Sequence, residues 1–208
     1  MQLSATRELR RTAVDALLRL SRTRANYWAE FALDTTLGVT FLLQGLRYHD
    51  RSWSEPLLVL AGLFVFSYIE YFFHRWLFHG PVRLLAEGHA AHHRNPLGYD
   101  ALPFFLPSLL LFGLIAPWLV LLPLGDALLI SCGIAFGYIA YGAGHFAIHR
   151  LRMRHPVLRR WAGYHHIHHY HPDRNFGVTS PLWDSLLGTR YASARRPARR
   201  APMRSVGE

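Results

Sequence analysis

The sequence has no lysine, a single cysteine and, at its start, nothing like a secretory signal, and each absence closes off a class of protein. Cys132 sits alone inside an apolar run. That excludes a disulfide framework or a cysteine-based zinc site within one chain and leaves Cys132 a packing role. The first 26 residues hold six arginines and no continuous apolar core, so no signal peptide is expected. Two metal-enzyme signatures are missing as well. Without His-Glu-x-x-His a zincin protease is unsupported, and there is no Glu-x-x-His pair of the kind that carboxylate-bridged di-iron bundles use. All 23 basic residues are arginine, a bias that suggests a GC-rich bacterial genome.

What is present is apolar and basic, in separate places. The 208 residues suit one domain, are 51% hydrophobic and carry a formal charge of +10. Such basicity can signal nucleic acid, but the long apolar runs make an anionic lipid surface the expected partner, with no nucleic acid. Residues 5–24 read as an amphipathic helix, with Val14, Leu17 and Leu18 on one side and arginines on the other, suited to lying on a membrane surface. Glu8 and Asp15 disfavour a transit peptide. Four apolar segments follow, at 28–46, 56–73, 103–122 and 127–144. The first is the poorest, because Glu30 and Asp34 interrupt it. At about 1.5 Å per residue the second crosses most of a ~30 Å hydrocarbon core. The last two form a helical hairpin about a Pro/Gly turn at 123–126. Trp28, Trp76 and Trp118 read as interface anchors.

The chemistry is carried by histidine. His74, His79, His89, His92 and His93 fall within twenty positions, and Gly80 and Pro81 end the helix that carries the first two. On an ideal helix His89, His92 and His93 point into one sector of roughly 100°, whereas His74 and His79 stand about 140° apart and are expected to flank a site from two sides. After the hairpin, His145 and His149 are one turn apart, and His165, His168 and His169 repeat the earlier triplet. Neutral imidazole is the commonest protein metal ligand. Ten such rings exceed the roughly four to six that one ion uses, so two metals with about five imidazoles each are expected. His49 and His155 read as surface residues, and His166 and His171 fall off the triplet pattern, although His166 could substitute for a neighbour. Glu70, one turn before His74, is a candidate to accept that ring's free N–H; Asp184 is a second such acceptor. Residues 175–177, Asn-Phe-Gly, read as a turn.

Between His93 and His145 the chain crosses the membrane twice, so every histidine cluster returns to one face. That face also receives the N-terminal arginines, Arg75, Arg83, Arg94 and the C-terminal arginines. The opposite loops hold only Arg47 and Arg51 against Asp50 and Glu55, which makes the histidine face cytoplasmic. Two metals at the edge of a bilayer suggest chemistry on a lipid-soluble substrate. Oxidising an unactivated C–H bond requires a redox metal and O2, which argues for iron over zinc.

On these motifs the sequence resembles the membrane-bound fatty acid hydroxylase/sterol desaturase superfamily, nearest its fatty acid (ceramide acyl-chain) 2-hydroxylase branch. The order His-x4-His, His-x2-His-His, His-x3-His, His-x2-His-His is met at His74/His79, His89/His92/His93, His145/His149 and His165/His168/His169. The segment from Asn175 through Asp184 to Thr189 looks like the family's closing segment, and the resemblance covers roughly residues 56–191. It implies an all-α membrane protein of about four transmembrane helices in two hairpins with a cytoplasmic histidine-rich cap. It also implies two metal ions (iron in the working enzyme, zinc possible as isolated), O2 and an external electron donor. The expected divisions are an amphipathic basic segment at 1–27, the catalytic domain at 28–191 and a basic flexible tail at 192–208, with no fused cytochrome b5-like domain. The expected activity is O2-dependent hydroxylation of a fatty acyl chain of a membrane lipid, with a separate electron-transfer protein as partner. The expected site is a bacterial inner membrane, or the endoplasmic reticulum in a eukaryote. Oxidation of a sterol, carotenoid or lipid head group is the alternative within enzymes, and a metal transporter or sensor the alternative outside them. One departure stands out: an Asp often precedes the third motif by three residues, and here that position is Gly142.

Overall fold

Apolar stretches of 16 to 27 residues with few interior breakers can satisfy their backbone only as helices once water is withdrawn. The computed structural model describes residues 2–50, 53–99 and 101–193, and all regular structure among them is helical. The order is α1 (Gln2–Ser21), α2 (Arg24–Tyr48), α3 (Glu55–Phe72) running directly into a π-helical turn (Phe73–Phe78), α4 (Arg83–Arg94), α5 (Leu106–Leu121), α6 (Leu124–Arg150), α7 (Pro156–Tyr170) and the short α8 (Leu182–Leu186). Local chemistry sets several boundaries. The Thr23 side chain accepts from the Asn26 amide to start α2, and Pro56 and Pro156 occupy first turns, where a missing N–H costs nothing. His155, expected as a plain surface residue, caps α7 by accepting from the Val157 amide.

α6 is the axis of the bundle, with α2, α3 and α5 packed along it through Phe41, Phe66, Leu111, Ile115 and Ile134. Against α3 the approach is backbone to backbone. A Cβ on Gly62 would lie 2.0 Å from the Ile130 carbonyl oxygen, and one on Gly133 would lie 2.2 Å from that of Val59. Among the described residues two stretches are long and apolar enough to cross a membrane, Glu55–Phe78 and Leu124–Arg150, while α5 is a shorter apolar helix. Leu57, Leu60 and Phe64 of α3 and Leu109, Phe112 and Leu119 of α5 face outward as an exposed apolar band. α2 folds its two acids inward: Glu30 accepts from the Tyr138 hydroxyl and Asp34 from Ser108.

Three expectations change in detail. The hairpin turn expected at 123–126 is tighter, because Gly125 and Asp126 already belong to the first turn of α6, where an acid suits the helix dipole. His49 is not a free surface ring: its Nδ1 lies 2.7 Å from Asp126 and its Nε2 3.2 Å from Ser54, tying the two turns at that end together. Trp28 and Trp76 are half exposed as expected of anchors, whereas Trp118 packs against the core. On the other end α1 packs against α4, where Arg83 bonds both Asp15 and Glu87 at 2.7 Å. Arg51 and the tail arginines Arg195, Arg196, Arg199, Arg200 and Arg204 lie outside the described residues.

The α3–α6 contact has a direct test. Gly62→Ala should cost about 1–3 kcal/mol by overpacking and lower the thermal midpoint in detergent. Gly113→Ala, whose Cβ meets nothing within 4 Å, should leave that midpoint unchanged or slightly raised. Equal midpoints for the two variants would contradict the close contact.

Candidate metal centre

Four elements deliver the ten expected histidines to one end of the bundle, where the rings fall into two groups of five. His74, His79, His89, His93 and His168 form one; His92, His145, His149, His165 and His169 form the other. The triplets are split between them. On α4 the i, i+4 pair His89 and His93 faces the first group and His92 the second; on α7 the pair His165 and His169 faces the second and His168 the first. Each triplet thus spans both groups, which meet where the His93 and His169 rings stack at 4.4 Å.

The pair His74/His79 corrects the helical-wheel expectation. The π-helical turn carries a His79 N–H to His74 C=O bond of 3.3 Å, five residues apart, so its wider turn brings positions i and i+5 to one side. Both rings therefore enter the same group, 5.3 Å apart and nearly parallel.

The donor set fits metal ions. Within the first group Nε2 atoms lie 3.0 Å apart for His74 and His89, 3.1 Å for His79 and His168, and 2.9 Å for His89 and His93. In the second group the separations are 3.0 Å for His145 and His165, 3.0 Å for His149 and His165, and 3.2 Å for His92 and His169. Two nitrogens each ~2.1 Å from one ion and at right angles to each other would stand about 3.0 Å apart. The ring faces are fixed from behind. His74 Nδ1–H donates to the Phe176 carbonyl at 2.5 Å and His168 Nδ1–H to that of Arg174 at 2.7 Å, which leaves Nε2 as the ligating atom in both. Burial, reinforced by neighbouring imidazoles, lowers the pKa of His79 to about 4, of His92 to about 3 and of His169 to about 2. Burial also lowers that of His168 to about 3 and holds His89 and His165 well below their ordinary value. These rings are neutral at physiological pH, the state in which imidazole binds metal.

Neither expected acceptor, Glu70 nor Asp184, takes its hydrogen bonds from a histidine. Glu70 is buried one turn before His74 yet does not accept from it. Its oxygens take the Val178 and Thr179 amides and the Thr179 hydroxyl. Asp184 takes the Phe176 amide at 2.9 Å, the Gly177 amide at 2.7 Å and the Thr189 hydroxyl at 2.6 Å. Together they clamp residues 176–179, the strip of backbone whose carbonyl orients His74. The turn expected at 175–177 falls earlier, at 172–173, closed by the Arg174 amide on the His171 carbonyl at 2.9 Å; Asn175 has φ 55° and its side-chain amide bonds the Tyr164 carbonyl. Tyr71 and Thr189, linked at 3.0 Å, complete this support and carried no sequence signal.

His166 stays outside both groups, its ring 5.7 Å from that of His149, and His171 stacks on Tyr191. At Gly142 a Cβ would come 2.9 Å from the Phe31 ring, so α2 fills the space where a side chain would stand; His145 instead stacks on Tyr141 at 5.7 Å and 9°. Two neighbouring cavities lie at this end. The more polar one borders the histidines and is lined by His89, His92, His145, Tyr138, Glu30 and Asp34; the apolar one is walled by Phe66, Ile69, Leu110, Leu111, Leu114 and Ile134, without a histidine. They share Asp34, Phe78, Leu102, Tyr138 and Tyr141.

The profile of the fatty acid hydroxylase family matches residues 59–189. The chain is 32% identical over 144 residues to a dihydroceramide fatty acyl 2-hydroxylase of Arabidopsis thaliana, covering 64% of this chain and 60% of that protein. It is 36% identical over 146 residues to the ceramide very long chain fatty acid hydroxylase of Saccharomyces cerevisiae, covering 64% of this chain and 37% of the yeast protein. The solved structure of full-length Scs7p, in which only the hydroxylase domain is visible, superposes with a TM-score of 0.72 at 28% identity, over 84% of this chain and 69% of that one.

Neutral, buried imidazoles make the centre acid-labile. Their folded-state pKa values lie below the unfolded value of about 6.5, so the stability they contribute is present above that value and lost as pH falls from it towards about 4 to 3. Metal-loaded protein titrated downward from neutral pH should release metal and lose thermal stability in that window. Metal content and midpoint both unchanged down to about pH 4 would contradict the assignment.

Proposed function

The chain belongs to the fatty acid hydroxylase family, and from that premise we propose that it is an O2-dependent, dimetal lipid hydroxylase acting on a fatty acyl chain. One observation supports this above others: an apolar cavity of acyl-chain character shares the wall formed by Phe78, Tyr138 and Tyr141 with a more polar cavity bordered by histidines of both groups. The reaction balances as R–H, O2, two electrons and two protons going to R–OH and water, with the electrons from a separate electron-transfer protein. Ten histidines, the five around His74 and the five around His165, would hold two metals, iron in this reading, which supply O2 activation when bound.

The chain's own residues bind and orient. The apolar wall from Phe66 to Leu114 strips water from the chain and confines it, and the aromatic junction holds one stretch of it beside the rings. Glu70 and Asp184 are positioning residues, acting on His74 only through the clamped strip 176–179. The relatives are named for hydroxylating the acyl chains of ceramide or dihydroceramide, so an acyl chain of a membrane lipid is the substrate class we carry over.

In the membrane, α2, α3, α5 and α6 are read as crossing helices, with the histidine end cytoplasmic. The outward apolar band on α3 and α5 favours that placement. Residues 28–191 form the catalytic domain of this reading. The segment 1–27 rests on the same face through the Asp15–Arg83 pair, and the tail 192–208 is drawn to anionic lipid.

Three experiments check this. Lipids of cells expressing the chain under heavy-oxygen-labelled O2 should gain one labelled oxygen on an acyl chain, and His168→Ala should abolish the gain; label in a head group, or none, would sink the assignment. Purified protein with NADPH but no carrier protein should not turn over. For topology, cysteines at Trp53 and at Tyr170, 80% and 83% exposed, in a Cys132→Ala background should react with an impermeant thiol reagent from opposite sides of the membrane. Labelling from one side would contradict the four-crossing arrangement.

A further inference from the structure

α2 carries two carboxylates into a region where charge is expensive, and neither belongs to the metal-binding groups or to their clamp. Glu30 and Asp34 are 5% and 2% exposed and stand one helical turn apart on the face of α2 turned towards α5 and α6. Each is half satisfied. Oε1 of Glu30 accepts from the Tyr138 hydroxyl and Oδ1 of Asp34 from Ser108 at 2.7 Å. Oε2 of Glu30 and Oδ2 of Asp34 are buried and have no partner among the described residues. Both side chains line the polar cavity that His89, His92 and His145 also border, and Asp34 lines the apolar cavity too. Buried acceptors left unpaired are destabilising, and ionisable groups inside a membrane bundle are kept where a ligand or pathway uses them.

We propose that Glu30 and Asp34 form a hydrogen-bond-accepting subsite for the polar head of the lipid substrate, selecting an uncharged head that bears O–H or N–H donors. The proposal rests on the lipid-hydroxylase reading for the occupant, and it adds the residues that choose the head. The unpaired oxygens, Asp34's at the wall the two cavities share and Glu30's in the more polar cavity, accept from the head, while the acyl chain runs past Tyr138 and Tyr141 into the apolar cavity. A head with only acceptors leaves both oxygens unpaired. A free carboxylate is worse still, because it adds only acceptors and a charge that is costly to bury there.

The geometry supplies a test at near-constant volume. Glu30→Met and Asp34→Leu each remove one unpartnered acceptor and leave no amide that could turn, whereas the Tyr138 and Ser108 hydroxyls, which both donate and accept, would let Gln or Asn present either end. Binding would be measured by equilibrium titration of purified protein in nanodiscs with three probes sharing a palmitoyl chain: the N-(2-hydroxyethyl) amide, the methyl ester and the free acid. Wild type should prefer the hydroxyethyl amide, and each variant should lower the amide-to-ester preference on the order of tenfold, the scale of one good hydrogen bond. Equal binding of all three by wild type would overturn the subsite, as would a preference unchanged within about twofold in both folded variants. Because the readout is binding, a wild type that shows the preference but, when then supplied with metal, O2 and a reducing carrier protein, hydroxylates none of the probes keeps the subsite and sinks the hydroxylase reading instead.

Discussion

Nitrogen lone pairs of neutral imidazoles repel when brought to about 3 Å with no proton between them, and only a cation makes such a gathering favourable. Two groups of five rings, with neighbouring Nε2 atoms at 2.9 to 3.2 Å, place that constraint at the centre of this protein. Much of the histidine end can be understood as the means of holding them there. α4 and α7 each contribute an i, i+3, i+4 triplet split between the groups, so a shift of either helix would disturb both at once. α6 brings His145 and His149 on the same continuous helix whose glycines let α3 close against it, and α3 in turn carries His74 and His79.

Behind the rings a second layer converts remote packing into ring orientation. Glu70 and Asp184 each take three donors, nearly all from residues 176–179, and that backbone presents the carbonyl to which His74 Nδ1–H donates. Buried carboxylates that accept several hydrogen bonds keep their cost down and hold a loop in one conformation. The sequence places Glu70 one turn before His74, which is why direct contact is the natural expectation there; only the fold reveals the intervening strip of backbone.

The ten histidines were legible because spacing of three and four on a helix is a strong geometric statement, and all ten fall into the two groups. The His74/His79 pair was misjudged in angle, since no residue pattern announces a π-helical turn, yet its i, i+5 geometry is what makes a spacing of five useful here. The all-helical class was readable from the apolar runs, and the hairpin before α6 from Pro123, though not that Gly125 and Asp126 lie inside the helix. Glu30 and Asp34 looked like defects in an apolar segment; three-dimensional packing turns them towards the cavity beside the rings. At Gly142 the sequence revealed the missing carboxylate but not its replacement in space by the Phe31 ring, a contact between residues more than a hundred positions apart.

The most direct test of the account is anomalous diffraction at the metal edge from crystals of the metal-loaded protein, wild type beside His92→Ala and His168→Ala. Two metal positions per chain are predicted, one within each group of five imidazoles. His168→Ala should deplete the position beside His74 and His89, and His92→Ala the position beside His145 and His165. A single position shared by rings of both groups, or equal loss from both positions in each variant, would contradict two separate five-imidazole sites.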